Sequence, residues 1–259
     1  MTVQTPANTQ TMTASDALLD AVRDGRLKDV ESLLGQGVDI DGEDSTGYTP
    51  LTAAALYDRE DVVRLLLDRK ADVNKKDRGG QTALIVAAGK ASRIGIARLL
   101  LDHDAAVDEK SSFENTALIT AARGGSYDLV ALFIEKGAAL DEKNKRGETA
   151  LFIAVQGLEP RSQEDHVKTV KLLVEAGADC DQEDKDGRTA QQLAENRNYF
   201  EVIDAISAAL ETRRERSEVQ ARTEERASQA QTAKAQHEMA MEKQQRVKQK
   251  APKLKIKAF

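Results

Sequence analysis

Tryptophan is absent, aromatic residues make up only 3% of the 259-residue chain, and cysteine occurs once. Each shortage closes off a class of architecture. A broad sandwich core leans on aromatic bulk, so the interior must be packed from Ala, Leu, Val and Ile, which suits closely stacked helices. The lone Cys180 supplies neither an internal disulfide nor a thiolate metal cage, since both need partner residues; a small core or loop residue is its expected role. No apolar run approaches the roughly 20 residues that span a bilayer. The opening MTVQTPANTQTMTAS has no positive stretch followed by an apolar one and so does not read as a secretory signal. A cytoplasmic protein is the expectation.

What the chain does have is enough apolar material for a core, 40% of its residues, and a lopsided charge. The net charge of −6 hides a division after Leu210. Residues 211–259 hold 13 Lys+Arg against 7 Asp+Glu, whereas residues 1–210 hold 25 against 37, so an acidic body carries a basic tail.

The body repeats itself. GYTPLTAAA at Thr49 returns as GQTALIVAA at Thr82, ENTALITAA at Thr116, GETALFIAV at Thr149 and GRTAQQLAE at Thr189, in steps of 33, 34, 33 and 40 residues. A second apolar cluster follows in four of the units: VVRLLL, IARLLL, LVALFI and TVKLLV. Short linkers such as KADVNKKD and GAALDEKN then close the unit. Each unit reads as a turn, a short helix, a second helix and an extended return. Gly47 can take positive φ, Thr49 can cap the first free N–H groups, and Pro50 fits the first helical turn. Helices this short bury no core alone, so the units must stack. Leu66, Leu100, Leu132 and Leu173 are the expected core positions of the second helices.

Period, Thr-x-Leu, paired alanines, double leucines and Gly-Ala-Asp linkers together resemble the ankyrin repeat family. The resemblance covers 15–210, about six units, with DALLDAVRDGRLKDVESLLGQGVDI and GRTAQQLAENRNYFEVIDAI as the caps. It implies an all-α helical solenoid with short β-turn or hairpin fingers. Residues 1–14 are expected to be a disordered lead, and 211–259 a charged helical or disordered tail. Three departures stand out. Thr52, Ile85, Ile119 or Phe152 replaces the usual histidine, which removes its bridge to the backbone. Glu114 takes the place of a turn glycine, which puts that turn's geometry in question. About seven extra residues lie within GLEPRSQEDH, 157–166, read as an exposed loop.

Catalysis needs converging groups, and few are present. His103, His166 and His237 read as surface residues. His166 beside Glu164 and Asp165 is the one metal candidate, though neighbours in a loop fix no coordination geometry. DCDQEDKDG fails as a calcium loop, with Gln182 first and Leu193 twelfth. GKAS fails as a phosphate loop, because Leu84 stands where its first glycine belongs. A non-enzymatic, monomeric binding module that uses no cofactor is expected.

The resemblance implies a concave face made of turn tips and first helices. Its candidate partner-binding residues are Tyr48, Leu56, Tyr57, Arg78, Lys90, Phe113, Arg123, Lys145 and Arg146. Three of the chain's four Tyr and five Phe fall there, and aromatics anchor interfaces. The partner is expected to be another protein offering acidic and apolar groups. Two rivals are a tail-mediated tether to nucleic acid or an anionic membrane, and an enzyme or metal site in the inserted loop.

The tail from Glu211 to Lys250 is rich in Ala, Glu, Gln, Lys and Arg, all helix formers. A heptad from Val219 places Val219, Arg226, Ala233, Ala240 and Val247 on one seam and mainly polar residues on the other, which disfavours a dimeric coiled coil. A single polar helix, or a segment that folds on binding, fits better. The ending KQKAPKLKIKAF alternates Lys with Leu and Ile and is open to three readings: an edge strand for a partner, a phosphate contact, or a solvated end.

Overall fold

The computed structural model describes residues 13–158 and 163–250, which fall into two units, Met1–Ser207 and Ala208–Phe259. The first unit is a stack of helix pairs. In order they are α1 (Ala14–Asp24) with α2 (Leu27–Gly35), α3 (Pro50–Leu56) with α4 (Glu60–Asp68), and α5 (Ala83–Ala88) with α6 (Ile94–Asp102). Then come α7 (Ala117–Arg123) with α8 (Tyr127–Glu135), α9 (Ala150–Gln156) with α10 (Gln163–Glu175), and α11 (Ala190–Asn196) with the start of α12 (Phe200–Lys250). No strand occurs among the described residues; one isolated antiparallel bridge joins Glu183 and Thr189. The described residues thus form six helix pairs.

Threonine starts each inner helix as the sequence requires. The hydroxyls of Thr49, Thr82, Thr116, Thr149 and Thr189 accept the N–H three residues on, at 3.2, 3.4, 3.2, 3.3 and 3.2 Å. Such a cap is worth about 1 kcal/mol. The missing histidine is replaced in two units by a reciprocal box: Thr49 N–H donates to the Thr52 hydroxyl, and Thr189 N–H to Gln192 Oε1. Elsewhere Ile85, Ile119 and Phe152 are simply buried.

The inner helices α3, α5, α7 and α9 are largely apolar because each packs on the unit before, the unit after and its own outer helix, whereas α1 and α11 close the ends and keep polar faces. All of Pro50–Ala55 and Ala150–Val155 are buried. Outer helices bury a stripe: Val62, Val63, Leu66 and Leu67 in α4, and Leu129, Val130, Leu132 and Phe133 in α8. The four expected core leucines, Leu66, Leu100, Leu132 and Leu173, are all buried, and only the register of one differs. Phe133, not Leu132, matches Leu66, Leu100 and Leu173, since it follows Thr116 by the 17 residues that separate Leu66 from Thr49. Leu132 is buried too, but in the place of Leu99. The extra residue of the third unit is taken up by a 3-10 turn, Ala91–Arg93.

Seven residues before each of these core positions, and before Ile206, stand Arg59, Arg93, Ser126, His166 and Tyr199. Four of them reach back to a carbonyl at the end of the preceding inner helix. Arg59 Nε donates to Arg23 O at 2.7 Å, Arg93 Nη2 to Leu56 O at 2.6 Å, and Tyr199 Oη to Leu158 O. His166 Nε2 lies 3.4 Å from Arg123 O. Ser126 is too short; its hydroxyl is buried and finds no partner among the described residues.

His166 thereby overturns two expectations. It is not a surface residue but 5% exposed, with Gly125 and Gly157 leaving room for its ring: a Cβ at either would come within 2.5 Å of it. The insertion is also not wholly a loop. Leu158 is buried and Gln163–His166 already belong to α10; residues 159–162 lie outside the described residues.

Linkers join the units through side chains. Asp41, Asn74, Asp108 and Asp141 each accept, on Oδ1, a backbone N–H of the next linker, from Asp72, Ala106, Ala139 and Asp179 at 2.8–3.0 Å. Lys76, Lys110 and Lys143 extend the pattern, each donating to a carbonyl of the following unit. Both patterns link consecutive units only.

In the second unit α12 continues as a helix to Lys250. The part of α12 within this unit, 208–250, would measure about 65 Å at 1.5 Å per residue. Pairs one turn apart line it, Arg222 with Glu218 and Gln220 with Glu224. Val219 and Arg226 of the heptad seam are exposed. The side chains of Ala233, Ala240 and Val247, and all of 1–12 and 251–259, lie outside the described residues. No described helix is long and apolar enough to cross a membrane.

Candidate partner-binding face

A buried polar residue opens the finger of each repeat from the second to the sixth, and each finger takes its repeat's number: Asp44, Asp77, Ser111, Asn144 and Asp184. Its side-chain oxygen gathers the turn's own N–H groups, so a tight turn forms without a strand partner. Asn144 Oδ1 accepts from Arg146 N at 2.8 Å and Glu148 N at 3.1 Å. Asp44, Ser111 and Asp184 do the same to the second and fourth residues on, and Asp77 holds Gln81 N at 2.9 Å. Adjacent fingers are tied by main chain: Ser112 N to Gly79 O, Lys145 N to Phe113 O, and Lys185 N to Arg146 O, at 3.0–3.1 Å. The sequence pattern of threonines and glycines did not point to these buried openers.

Three of the openers are carboxylates, and their surroundings differ. Burial works against ionised Asp44, but the Thr46 hydroxyl, the N–H groups of Tyr48 and Thr46, and Arg23 at 2.6 Å together hold its pKa below the ordinary value. Burial opposes Asp184 too and is outweighed by Arg188, also at 2.6 Å. No cation pairs with Asp77 among the described residues. Burial raises its pKa and the charge of Glu43 adds to the rise, while N–H donors from Gln81 and Gly79 only partly offset them.

Left-handed backbone is needed near the tip of each finger, and Gly47, Gly80, Gly147 and Gly187 supply it at φ of 68 to 90°. Glu114 takes the same conformation at φ 60°, so the fourth turn keeps its geometry despite the lost glycine.

The nine candidate residues divide into groups. Tyr48 and Leu56 are half-buried; Tyr57 is 43% exposed, with the Arg23 guanidinium 5.9 Å from its ring centre. Arg78 turns its Nη1 to Ser45 O at 3.4 Å. Lys90 is paired with Asp58 at 3.0 Å; burial opposes that carboxylate's charge, yet Lys90 and Arg93 lower its pKa. Arg78 and Lys90 thus serve neighbouring units, and the basic strip is interrupted.

Phe113, Arg123, Lys145 and Arg146 come together. With Asn115 and Asn144 they line a hollow of about 370 Å³ between the fourth and fifth fingers. The Phe113 side chain is 71% exposed although its backbone is fixed by the bond to Lys145. Glu148, within the same finger as Lys145 and Arg146, is 2% exposed and accepts from Asn144 Nδ2 at 2.9 Å, Arg146 Nε at 3.1 Å and Gln156 Nε2 at 3.5 Å. Arg123 Nη2 lies 3.5 Å from Asn115 Oδ1. The hollow therefore offers three cations against the one carboxylate of Glu148.

Nothing comparable forms around the metal candidate. Glu164 and Asp165 point to Lys168, at 2.7 and 4.0 Å, while His166 faces Gly125 and Gly157. Among the described residues no group of His, Cys, Asp or Glu is placed to hold a metal ion.

Known proteins match this architecture. Residues 18–111 and 91–184 fit a family model described as ankyrin repeats in three copies. A crystallised ankyrin repeat domain from Acinetobacter baumannii superposes with a TM-score of 0.68 at 30% identity, over 74% of this chain and 96% of that one. A second crystallised ankyrin repeat protein gives 0.68 at 32%, over 74% and 97%. Among curated proteins, an ankyrin repeat-containing protein of Schizosaccharomyces pombe is 36% identical over 66 residues, 26% of this chain and 32% of that protein. The chain thus spans about a third of that relative.

Proposed function

Because the chain belongs to the ankyrin repeat family, whose repeats are in general protein-interaction modules, we propose that it binds another protein on the face built by its fingers and inner helices. It does so without chemistry of its own. The observation that carries this reading is the convergence of Phe113, Arg123, Lys145 and Arg146 on one hollow. An aromatic ring left 71% exposed on a rigid finger is a costly surface for a lone protein and an efficient anchor for a complex. Tyr57 and Leu56 extend the face toward the second unit.

A photo-crosslinking residue placed singly at Tyr57, Phe113, Asp68 or Glu135 tests it. Partner adducts from the first two positions and none from the outer-helix pair are expected. Adducts only from Asp68 and Glu135 would overturn the reading. A chain ending at Leu210 separates the tail tether: capture that vanishes on truncation and survives replacement of Tyr57, Phe113 and Arg123 would transfer the function to the tail.

A further inference from the structure

We infer that the hollow between the fourth and fifth fingers takes one acidic side chain of a partner peptide together with the apolar side chain beside it. The inference rests on the docking reading above and gives each lining residue a role. Arg123 and Lys145 are the carboxylate donors. Lys145 has no side-chain partner among the described residues, and Arg123 makes only the long contact to Asn115. Arg146 is a secondary donor, since its Nε is held by Glu148 and its backbone N–H by Asn144, which fixes the residue and partly neutralises its charge. Phe113 is the apolar platform.

Charge and size select the occupant. Arg123, Lys145 and Arg146 against Glu148 leave a local positive excess, so an anion is favoured, and a planar guanidinium beside an ammonium suits a carboxylate. A polyanion fares worse. Residues 1–210 as a whole, the hollow included, carry 37 acidic against 25 basic groups, which repels a nucleic-acid backbone even where three cations attract it. The volume, about 370 Å³, sits at the small end of the roughly 300–1,000 Å³ range of ligand pockets and matches side chains rather than a whole element. Two extended neighbours on a peptide, one acidic and one apolar, satisfy both halves of the lining.

The test uses the full chain and a displayed random dodecapeptide library, with R123A/K145A as the counter-selected protein. Enriched peptides should share Asp or Glu next to Leu, Ile, Phe or Met. In fluorescence polarisation, acid-to-amide exchange in a selected peptide should weaken binding by roughly tenfold or more, as should R123A/K145A, with R146A doing less. Unchanged thermal melts of the variants, whose altered side chains are exposed, separate binding from folding. Three results would overturn the inference: enrichment without an acidic residue, equal binding by R123A/K145A, or no enrichment at all. An RNA hairpin bound more tightly than the peptides would do the same. Crosslinking from Tyr57 that persists in R123A/K145A would sink the hollow and leave the docking reading standing; loss of crosslinks from every finger position would sink both.

Discussion

The Arg93 guanidinium donates to the Leu56 carbonyl at 2.6 Å, closing the joint between the second and third units. One joint on, Ser126 holds the same position and its hydroxyl finds no partner among the described residues. A charged donor on a helix's last carbonyls is favourable, and a buried hydroxyl without a partner is a cost. Removing the first should therefore cost about 1.5–3 kcal/mol in R93A, and removing the second, in S126A, should be neutral or stabilising by up to about 1 kcal/mol. Urea melts of the two variants check the contrast; a large loss in S126A would refute the gap.

Glu114 adopts the left-handed backbone that glycine supplies in the other fingers. Glu114→Gly should raise stability by roughly 0.5–1 kcal/mol, because strain is relieved for a modest gain in unfolded-state entropy. The opposite change, Gly147→Ala, should destabilise: besides its φ of 76°, the new Cβ would stand 2.9 Å from Lys185 N. Thermal melts of both should move in opposite directions.

Asp77 is a finger opener whose carboxylate pairs with no cation among the described residues, whereas the fifth finger uses Asn144 in that place. A carboxyl whose folded pKa lies above its unfolded value weakens the fold while ionised, at neutral pH. That penalty disappears as pH falls below the unfolded value of about 3.9. Asp77→Asn keeps the acceptor for Gln81 N and removes the charge. It should raise the melting temperature at pH 7, with the gain fading toward pH 4. The reverse holds for Asp44, whose pKa is lowered: its contribution is present above about pH 4 and is lost as pH falls through the depressed value. Asp44→Asn should therefore lower the melting temperature at pH 7. A pH series of melts for the two variants reads both signs.

Core register makes a fourth prediction. Phe133→Ala should cost about 3–5 kcal/mol, more than Leu65→Ala, whose side chain is only half-buried. Equal losses would place the stripe of the outer helices wrongly.

The capping threonines and the inner helices were legible because a cap is a local rule, written in residues a few places apart. Phe113, Arg123, Lys145 and Arg146 could be named from the repeat register, but not that they share a hollow while Arg78 and Lys90 serve neighbouring units. That sorting depends on partners 32 or 33 residues away, Asp58 for Lys90 and Ser45 for Arg78. His166 was misread for a related reason. Its neighbours Glu164 and Asp165 are polar, so the local pattern says surface, yet the core register places it seven residues before Leu173, facing the joint. Phe133 was passed over for Leu132 because two adjacent apolar residues fit a stripe equally well until the spacing from Thr116 is counted.

Asp41, Asn74, Asp108 and Asp141 receive the next linker's N–H on side-chain oxygens, so no hydrogen bond of these joints spans more than one unit. Such a stack is modular in heredity as well as in space. A duplicated or deleted stretch of one period would bring its own acceptor and find its own donor, leaving every other joint as it was.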